Sequence, residues 1–473
     1  MKKLYNMMRK KPDPLNGLII EELFILGLPV ILANFAQTLY NIVDAFWLGK
    51  VGKVALTAPT ITFNVVFIFI AFSMGISIGG STLVAQYTGA RQSKQAEKTA
   101  GTTIFLMLIL GVASGIIGFF FAPSILRLLH TPSDAFAETL TYMRIIFLGM
   151  PFMFVYHAFQ GVIQGKGNTI TPMKIVFISI VINIILDPIM IFGIGMPKMG
   201  VMGAAIATNI SRVIAAYIGL RYLFSKKSEI PIKMKDISFD KKLAKKIFHI
   251  GLPLSIGQMA TSIGFTVLIG IVNIFGSAVI SAFGIGNRMI SLMNMPAMGF
   301  SHAATVMVGQ NMGAENVERA ENIVWKTVII IAAFLFSGAT LTFLFGGGIV
   351  RFFINDPEVI SIGINFFRIA SYSVPFFGIM FAFNAAFSGS GHTFPILVLN
   401  TARLWAIRIP LAYLWAIKME MGPNGIFYSM VISNIVISLL AFIWFKTGTW
   451  KKKIITKKEV LSLETEPKDM DVH

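Results

Sequence analysis

Runs of twenty or more mostly apolar residues recur about twelve times along this chain, separated by short polar or basic stretches. A helix of about 20 residues crosses the hydrocarbon core of a bilayer, and inside lipid a helix satisfies all of its own backbone groups. The pattern therefore predicts an all-α integral membrane protein with about twelve transmembrane helices. Composition agrees: 13% of the 473 residues are charged and 55% are hydrophobic, whereas soluble domains average about 25% charged. Cysteine is absent, which excludes disulfides, thiolate catalysis and thiolate metal sites together.

Charge placement sets the expected orientation. Lys and Arg concentrate at the N-terminus (Lys2, Lys3, Arg9, Lys10, Lys11), in the C-terminal tail, and in a linker with Lys226, Lys227, Lys233, Lys235, Lys241, Lys242, Lys245 and Lys246. The opposite loops carry few, among them Lys50, Lys53, Arg127, Lys198, Arg351 and Lys418. By the positive-inside rule both termini and the linker face the cytoplasm. The basic start leads into a full-length span, so a cleavable signal peptide is not expected. The expected organisation is an N-terminal segment 1–23, a first lobe 24–224, a basic linker 225–247, a second lobe 248–446 and a tail 447–473. The net charge of +18 is read as topology and contact with anionic membrane lipid, with no nucleic-acid partner.

Shifted by 224 positions, the chain matches itself. Leu26-Gly27-Leu28-Pro29 falls on Ile250-Gly251-Leu252-Pro253, and Gly52 on Gly276. Val84-Ala85-Gln86-Tyr87-Thr88-Gly89-Ala90 falls on Val308-Gly309-Gln310-Asn311-Met312-Gly313-Ala314. Arg127, Arg144, Pro151, Gly165 and Gly167 fall on Arg351, Arg368, Pro375, Gly389 and Gly391. Each copy has six spans, an even number, so both copies start on the same side and the repeat is parallel. Two six-helix lobes facing one another leave a cleft that rocking can open to either side, which is the architecture of a transporter. Pro29 and Pro253 in the first span of each lobe, and Pro188 in the fifth span, are candidate hinges because each removes a helical hydrogen bond.

Of the 22 carboxylates, twenty fall in tails, loops or span ends. Asp44 and Asp187 fall within spans, where an ionised Asp costs about 2.5–3.5 kcal/mol even on the lenient insertion scale. Tyr40 stands four residues before Asp44, and Asn183 four before Asp187, so each acid has a polar neighbour on its own helical face. At the repeat offset Asp44 becomes Leu268, and Asp187 falls in the stretch Arg408-Ile409-Pro410-Leu411. The two acids are read as one lobe's chemistry; the plainer reading is a pair of structural carboxyls held by hydroxyl and amide groups.

Among basic residues, Arg212, Arg288, Arg403 and Arg408 lie within spans, Arg408 the deepest; pairing with helix-end carbonyls or lipid competes with a role in the cavity. His157 and His302 are read chiefly as packing residues. The 26 Met and 42 Phe residues suit an adaptable wall for drugs as well as plain packing. No P-loop, His-Glu-x-x-His or Ser/His/Asp cluster is present. An enzyme is therefore not expected, no cofactor is called for, and transport would draw on an ion or solute gradient.

These residues resemble the multidrug and toxic compound extrusion (MATE) family. The likeness covers about residues 20 to 446 and rests on Gly27-Leu28-Pro29, Tyr40-Asn41-Ile42-Val43-Asp44-Ala45-Phe46-Trp47-Leu48-Gly49, the Val84–Ala90 segment with its duplicate, and Asn183-Ile184-Ile185-Leu186-Asp187-Pro188. Within the family the acids are similar to those of the prokaryotic DinF-like branch. That likeness implies a cation site in the first lobe formed by Asp44, Asn183, Asp187 and Thr208, with Asp44 and Asp187 as ligands if the ion is Na+. Tyr40, Gln37 and Asn41 would line the substrate cavity. The NorM-like branch has acids in the second lobe; here the corresponding spans offer Thr261, Ser262 and Asn384. The resemblance implies an antiporter in a prokaryotic cytoplasmic membrane that exchanges H+ or Na+ for small organic cationic or amphipathic substrates. The rival reading is a lipid-linked precursor flippase of the same superfamily, kept open by Arg288 and Arg408.

Overall fold

The computed structural model describes residues 10–455 apart from Met196 and Lys453. Lys2, Lys3, Arg9 and residues 456–473 of the tail lie outside the described residues. The described chain is built of helices. In the first lobe these are α1 (Ile19–Val51), α2 (Lys53–Gly89), α3 (Ser93–Leu128), α4 (Ser133–Leu148), α5 (Met150–Gly165), α6 (Ile170–Phe192) and α7 (Gly200–Leu223). The second lobe holds α8 (Lys241–Asn273), α9 (Ser277–Gly313), α10 (Val317–Phe353), α11 (Pro357–Ala370) and α12 (Val374–Ser390). It continues through α13 (Phe394–Thr401), a π-helix at Ala402–Arg408, α14 (Ile409–Tyr413), a second π stretch at Leu414–Lys418, and α15 (Pro423–Lys446).

Ten helical stretches are long and apolar enough to cross a membrane, and eleven if α4 and α5, bent by 45°, count as one span. The bend has a local cause: Pro151 opens α5 and supplies no amide hydrogen to carry the ladder through Gly149. The twelfth expected span is α9, a 37-residue helix. Asn287, Arg288, Asn294 and His302 lower its hydropathy below that of the other spans.

The sequence repeat is a structural one. The helix pairs α2/α9, α3/α10, α4/α11, α5/α12 and α6/α13 each begin 224 residues apart. Gly52 and Gly276 precede α2 and α9 with φ of 147° and 88°, values that favour a residue without a Cβ. Arg91 and Glu315, also repeat partners, turn the corners after α2 and α9 in the left-handed region, at 59° and 64°. Ser77 Oγ donates to His157 O at 2.6 Å, and its counterpart Ser301 Oγ donates to Phe381 O at 2.6 Å.

The lobes exchange the first halves of their leading helices. Leu23 and Leu26 of α1 belong to the second lobe's core with Phe300, Ala303 and Met307. Leu243, Ile247 and Ile250 of α8 belong to the first lobe's core with Leu83, Val84 and Ile104. Glycines allow the close approach: Gly75 and Gly79 of α2 lie against Ser255 and Ile247 of α8, and Gly27 of α1 lies against Gly299 and Phe300 of α9.

A two-fold clasp closes this end of the interface. Gln86 Nε2 donates to Gly389 O at 2.9 Å, and Gln310 Nε2 donates to Gly165 O at 3.0 Å. Donors and acceptors are both repeat partners, so the same bond is made twice in opposite directions. Thr82 Oγ1 adds a bond to Ser388 O at 2.9 Å. Gly89 rests on the main chain of Gln310, and Gly313 on that of Gln86. Straps reinforce the closure. Asn311 Nδ2 donates to Pro14 O at 3.0 Å, and Arg319 donates to Pro14 O and Gly17 O, tying the start of the chain to the second lobe. From the linker, Asp240 pairs with Lys98 of α3 at 2.7 Å. Glu22, in the first turn of α1, is at a span end as expected but wholly buried there, its Oε2 accepting from Asp13 N at 2.9 Å.

A candidate cation site in the first lobe

Three helices of the first lobe supply one polar cluster. α1 carries Tyr40 and Asp44 one turn apart, α6 carries Asn183 and Asp187 one turn apart, and α7 carries Thr208 and Arg212 one turn apart. The same i, i+4 spacing on each helix turns each pair toward the others. Asn183, Asp187 and Thr208 are buried, with Asp187 at 0% exposure, so the cluster lies inside the bundle and away from lipid.

Its hydrogen bonds join all three helices. With the Asn183 amide oriented to satisfy its neighbours, Nδ2 donates to Asp187 Oδ2 at 2.9 Å and Oδ1 accepts from Thr208 N at 3.2 Å. Tyr40 Oη and Thr208 Oγ1 pair at 3.3 Å. The carboxyl groups of Asp44 and Asp187 face each other within hydrogen-bonding range. Two ionised carboxylates this close repel one another, so the pair favours a bound proton or cation. Asp44 Oδ1 is buried and accepts from no neighbour, leaving an oxygen free to take one. Among the described residues no three His, Cys, Asp or Glu side chains gather as a metal site. The donor set is two carboxyls, one amide and two hydroxyls, hard oxygens suited to a proton or a small monovalent cation.

Of the residues singled out in the sequence, the structure brings together Tyr40, Asp44, Asn183, Asp187 and Thr208. Gln37 and Asn41 stand on an exposed face of α1, outside this network. Pro29, Pro188 and Pro253 lie inside unbroken helices. Arg212, read from the sequence only as one of four arginines within spans, enters the cluster. Its guanidinium lies within electrostatic reach of Asp44, and its Nη1 is buried without a partner. Its position one turn beyond Thr208 was the available signal. His157 is held by Ser73, Oγ to Nδ1, as a packing residue would be. The second lobe has nothing to match: Leu268, at the offset from Asp44, is fully buried in an apolar cluster.

The MatE family model matches residues 29–189 and again 253–414, two segments that begin at the repeat offset and together span most of the chain. The chain belongs to the MatE family. As a MatE protein it is a membrane transporter and not an enzyme. It is 29% identical to a probable multidrug resistance protein of Bacillus subtilis, over 95% of this chain and all of that one. A solved structure described as the outward-facing conformation of a multidrug resistance MATE family transporter superposes with a TM-score of 0.87 at 26% identity. That match covers 94% of this chain and 100% of the other. A MATE solved in a bent conformation gives 0.86 at 26% identity, covering 94% and 97%. The two-lobe, twelve-span reading of this MatE chain thus agrees with its solved relatives.

Proposed function

We propose that this MatE transporter is an antiporter that expels small organic, cationic or amphipathic molecules across a prokaryotic plasma membrane in exchange for H+ or Na+. The observation that carries the reading is the pair Asp44–Asp187, two acids meeting inside one lobe with an unfilled buried oxygen. Both termini and the basic linker lie in the cytoplasm, so the clasped end faces inward and the cleft opens outward. A cation arriving from outside settles between the acids. With both acids ionised and Arg212 charged, the cluster carries one net negative charge, so one proton or one Na+ neutralises it.

Neutralisation changes what α1 can do. An anionic Asp44 is drawn toward Arg212, whereas a neutral one packs with Tyr40 and lets α1 flex at Pro29. Movement of α1 reshapes the cavity wall that Gln37 and Asn41 line and releases the substrate outward. One proton moving down a unit of pH supplies about 1.4 kcal/mol, and one net charge across 100 mV about 2.3. Either sustains a substrate gradient of roughly ten- to fifty-fold.

The test is efflux of a cationic dye from proteoliposomes with no ATP. An imposed pH gradient in Na+-free buffer should drive it, and a protonophore should abolish it. Transport that appears only with millimolar Na+ would assign the ion to Na+ and leave the site in place. Transport that needs neither gradient would refute coupling.

A further inference from the structure

The second lobe holds the opposite charge. Arg403 and Arg408 both lie in the π-helix Ala402–Arg408, whose wider i→i+5 turn brings residues five apart toward the same side. An α-helix would turn them away from each other by roughly 140°. The two guanidiniums lie within electrostatic reach of one another, and at 6% and 4% exposure both are covered by protein.

Their partners are all neutral. Arg408 Nε donates to Ser433 Oγ at 2.8 Å and its Nη2 to Asn434 Oδ1 at 2.6 Å. Asn434 Nδ2 in turn donates to Ser373 Oγ at 3.2 Å. Arg403 lies 4.3 Å above the ring of Phe377, and its Nε is buried without any acceptor. From residue 241 to 455 the carboxylates are Glu315, Glu318, Glu321, Asp356, Glu358 and Glu420, all at helix ends or in turns. Among the described residues, these two buried guanidiniums have no carboxylate of the second lobe to balance them. Buried charge without a counterion is strongly unfavourable, and a guanidinium fork matches phosphate or carboxylate oxygens.

We propose that Arg403 and Arg408 form an anion subsite in the second lobe that receives a phosphate or carboxylate group. The group arrives on an amphipathic substrate or on a membrane lipid. The buried, unpartnered Nε of Arg403 is a donor left open for the anion, while Arg408 stays fixed by Ser433 and Asn434. The proposal deepens the exporter reading by adding anionic or zwitterionic guests to its substrates.

Binding is measured at equilibrium with no gradient, so failure of ion coupling leaves this result standing. Phenyl phosphate is titrated calorimetrically into the protein in maltoside micelles. In parallel, thermal unfolding is compared in nanodiscs of phosphatidylglycerol and of phosphatidylcholine. Saturable phenyl phosphate binding that Arg403→Gln weakens at least tenfold, and Arg403→Lys partly restores, supports a soluble anionic guest. Stabilisation by phosphatidylglycerol alone, lost in Arg403→Gln, supports the subsite with lipid as its source. Arg403 is the position to change because its Nε bonds to nothing, so its loss leaves no side chain unpaired. Absence of both effects, or effects equal in the unaltered and Arg403→Gln proteins, overturns the proposal.

Discussion

Gln86 and Gln310 stand 224 residues apart and make the same bond in opposite directions across the lobe interface, each to a glycine carbonyl of the other lobe. Opening that end breaks both together. A buried hydrogen bond contributes about 0.5–1.5 kcal/mol net, so Gln86→Ala with Gln310→Ala should favour opening by roughly ten-fold or more. The chain has no native cysteine, and Thr82 beside the clasp is 1% exposed. Maleimide labelling of a Thr82→Cys protein should therefore accelerate at least ten-fold when both glutamines are removed. An unchanged rate would mean that the clasp does not hold the closed state.

Asymmetry between the lobes gives the second expectation. Asp44→Asn and Asp187→Asn should each abolish gradient-driven efflux while leaving folding intact. Leu268→Asn, at the repeat-related position, should have only a mild effect on coupling. Normal transport by both Asp variants would make the acids structural.

Orientation is checked without background in a chain that lacks cysteine. Cysteines at Lys198 and Lys418 should react with an impermeant reagent added outside intact cells. One at Lys235, in the linker, should react only from inside. Labelling of position 235 from outside would overturn the assignment of both termini to the cytoplasm.

Asp240 ties the linker to α3 and caps α8, accepting from Lys242 N at 2.8 Å and Leu243 N at 3.0 Å. Partial burial works against its charge, but Lys98 and the two amides outweigh it and hold its carboxyl below the ordinary carboxylate range. A lowered pKa contributes stability above the unfolded value of about 3.9, lost as pH falls through the folded one. Asp240→Asn should lower thermal stability at pH 7, by about 1 kcal/mol or less since the pair is partly solvated. The gap should narrow toward pH 3. An equal gap at both pH values would remove the ion pair as its cause.

Much of the fold could be read in advance because lipid imposes it. Apolar runs of spanning length have few alternatives, and an offset held on Gly, Pro, Gln and Arg exposes the duplication. The acids were visible for the same reason, since Asp44 and Asp187 stand out against an apolar background. What escaped depends on neighbours brought in by folding. Nothing in the periodicity of α1 says that Leu23 and Leu26 serve the other lobe's core. Glu22 reads as a solvated span end until the strap at Asp13 covers it. Arg212 reads as one more cation within a span until α1 places Asp44 near it. The approach of Arg403 to Arg408 depends on a π-helix, which α-helical spacing does not anticipate.

The clasp has a consequence for how such a machine can be tuned. Its donors are uncharged amides and its acceptors are main-chain carbonyls, so making these two bonds moves no formal charge and titrates no group. Acidity and salt act on the clasped end through its charged straps, Arg319 and the Asp240–Lys98 pair, and not through the clasp. On the proposed mechanism the ion gradient acts through the aspartate pair, leaving the two glutamine bonds electrically silent while the cavity walls remain free to diverge with the compounds a cell must expel.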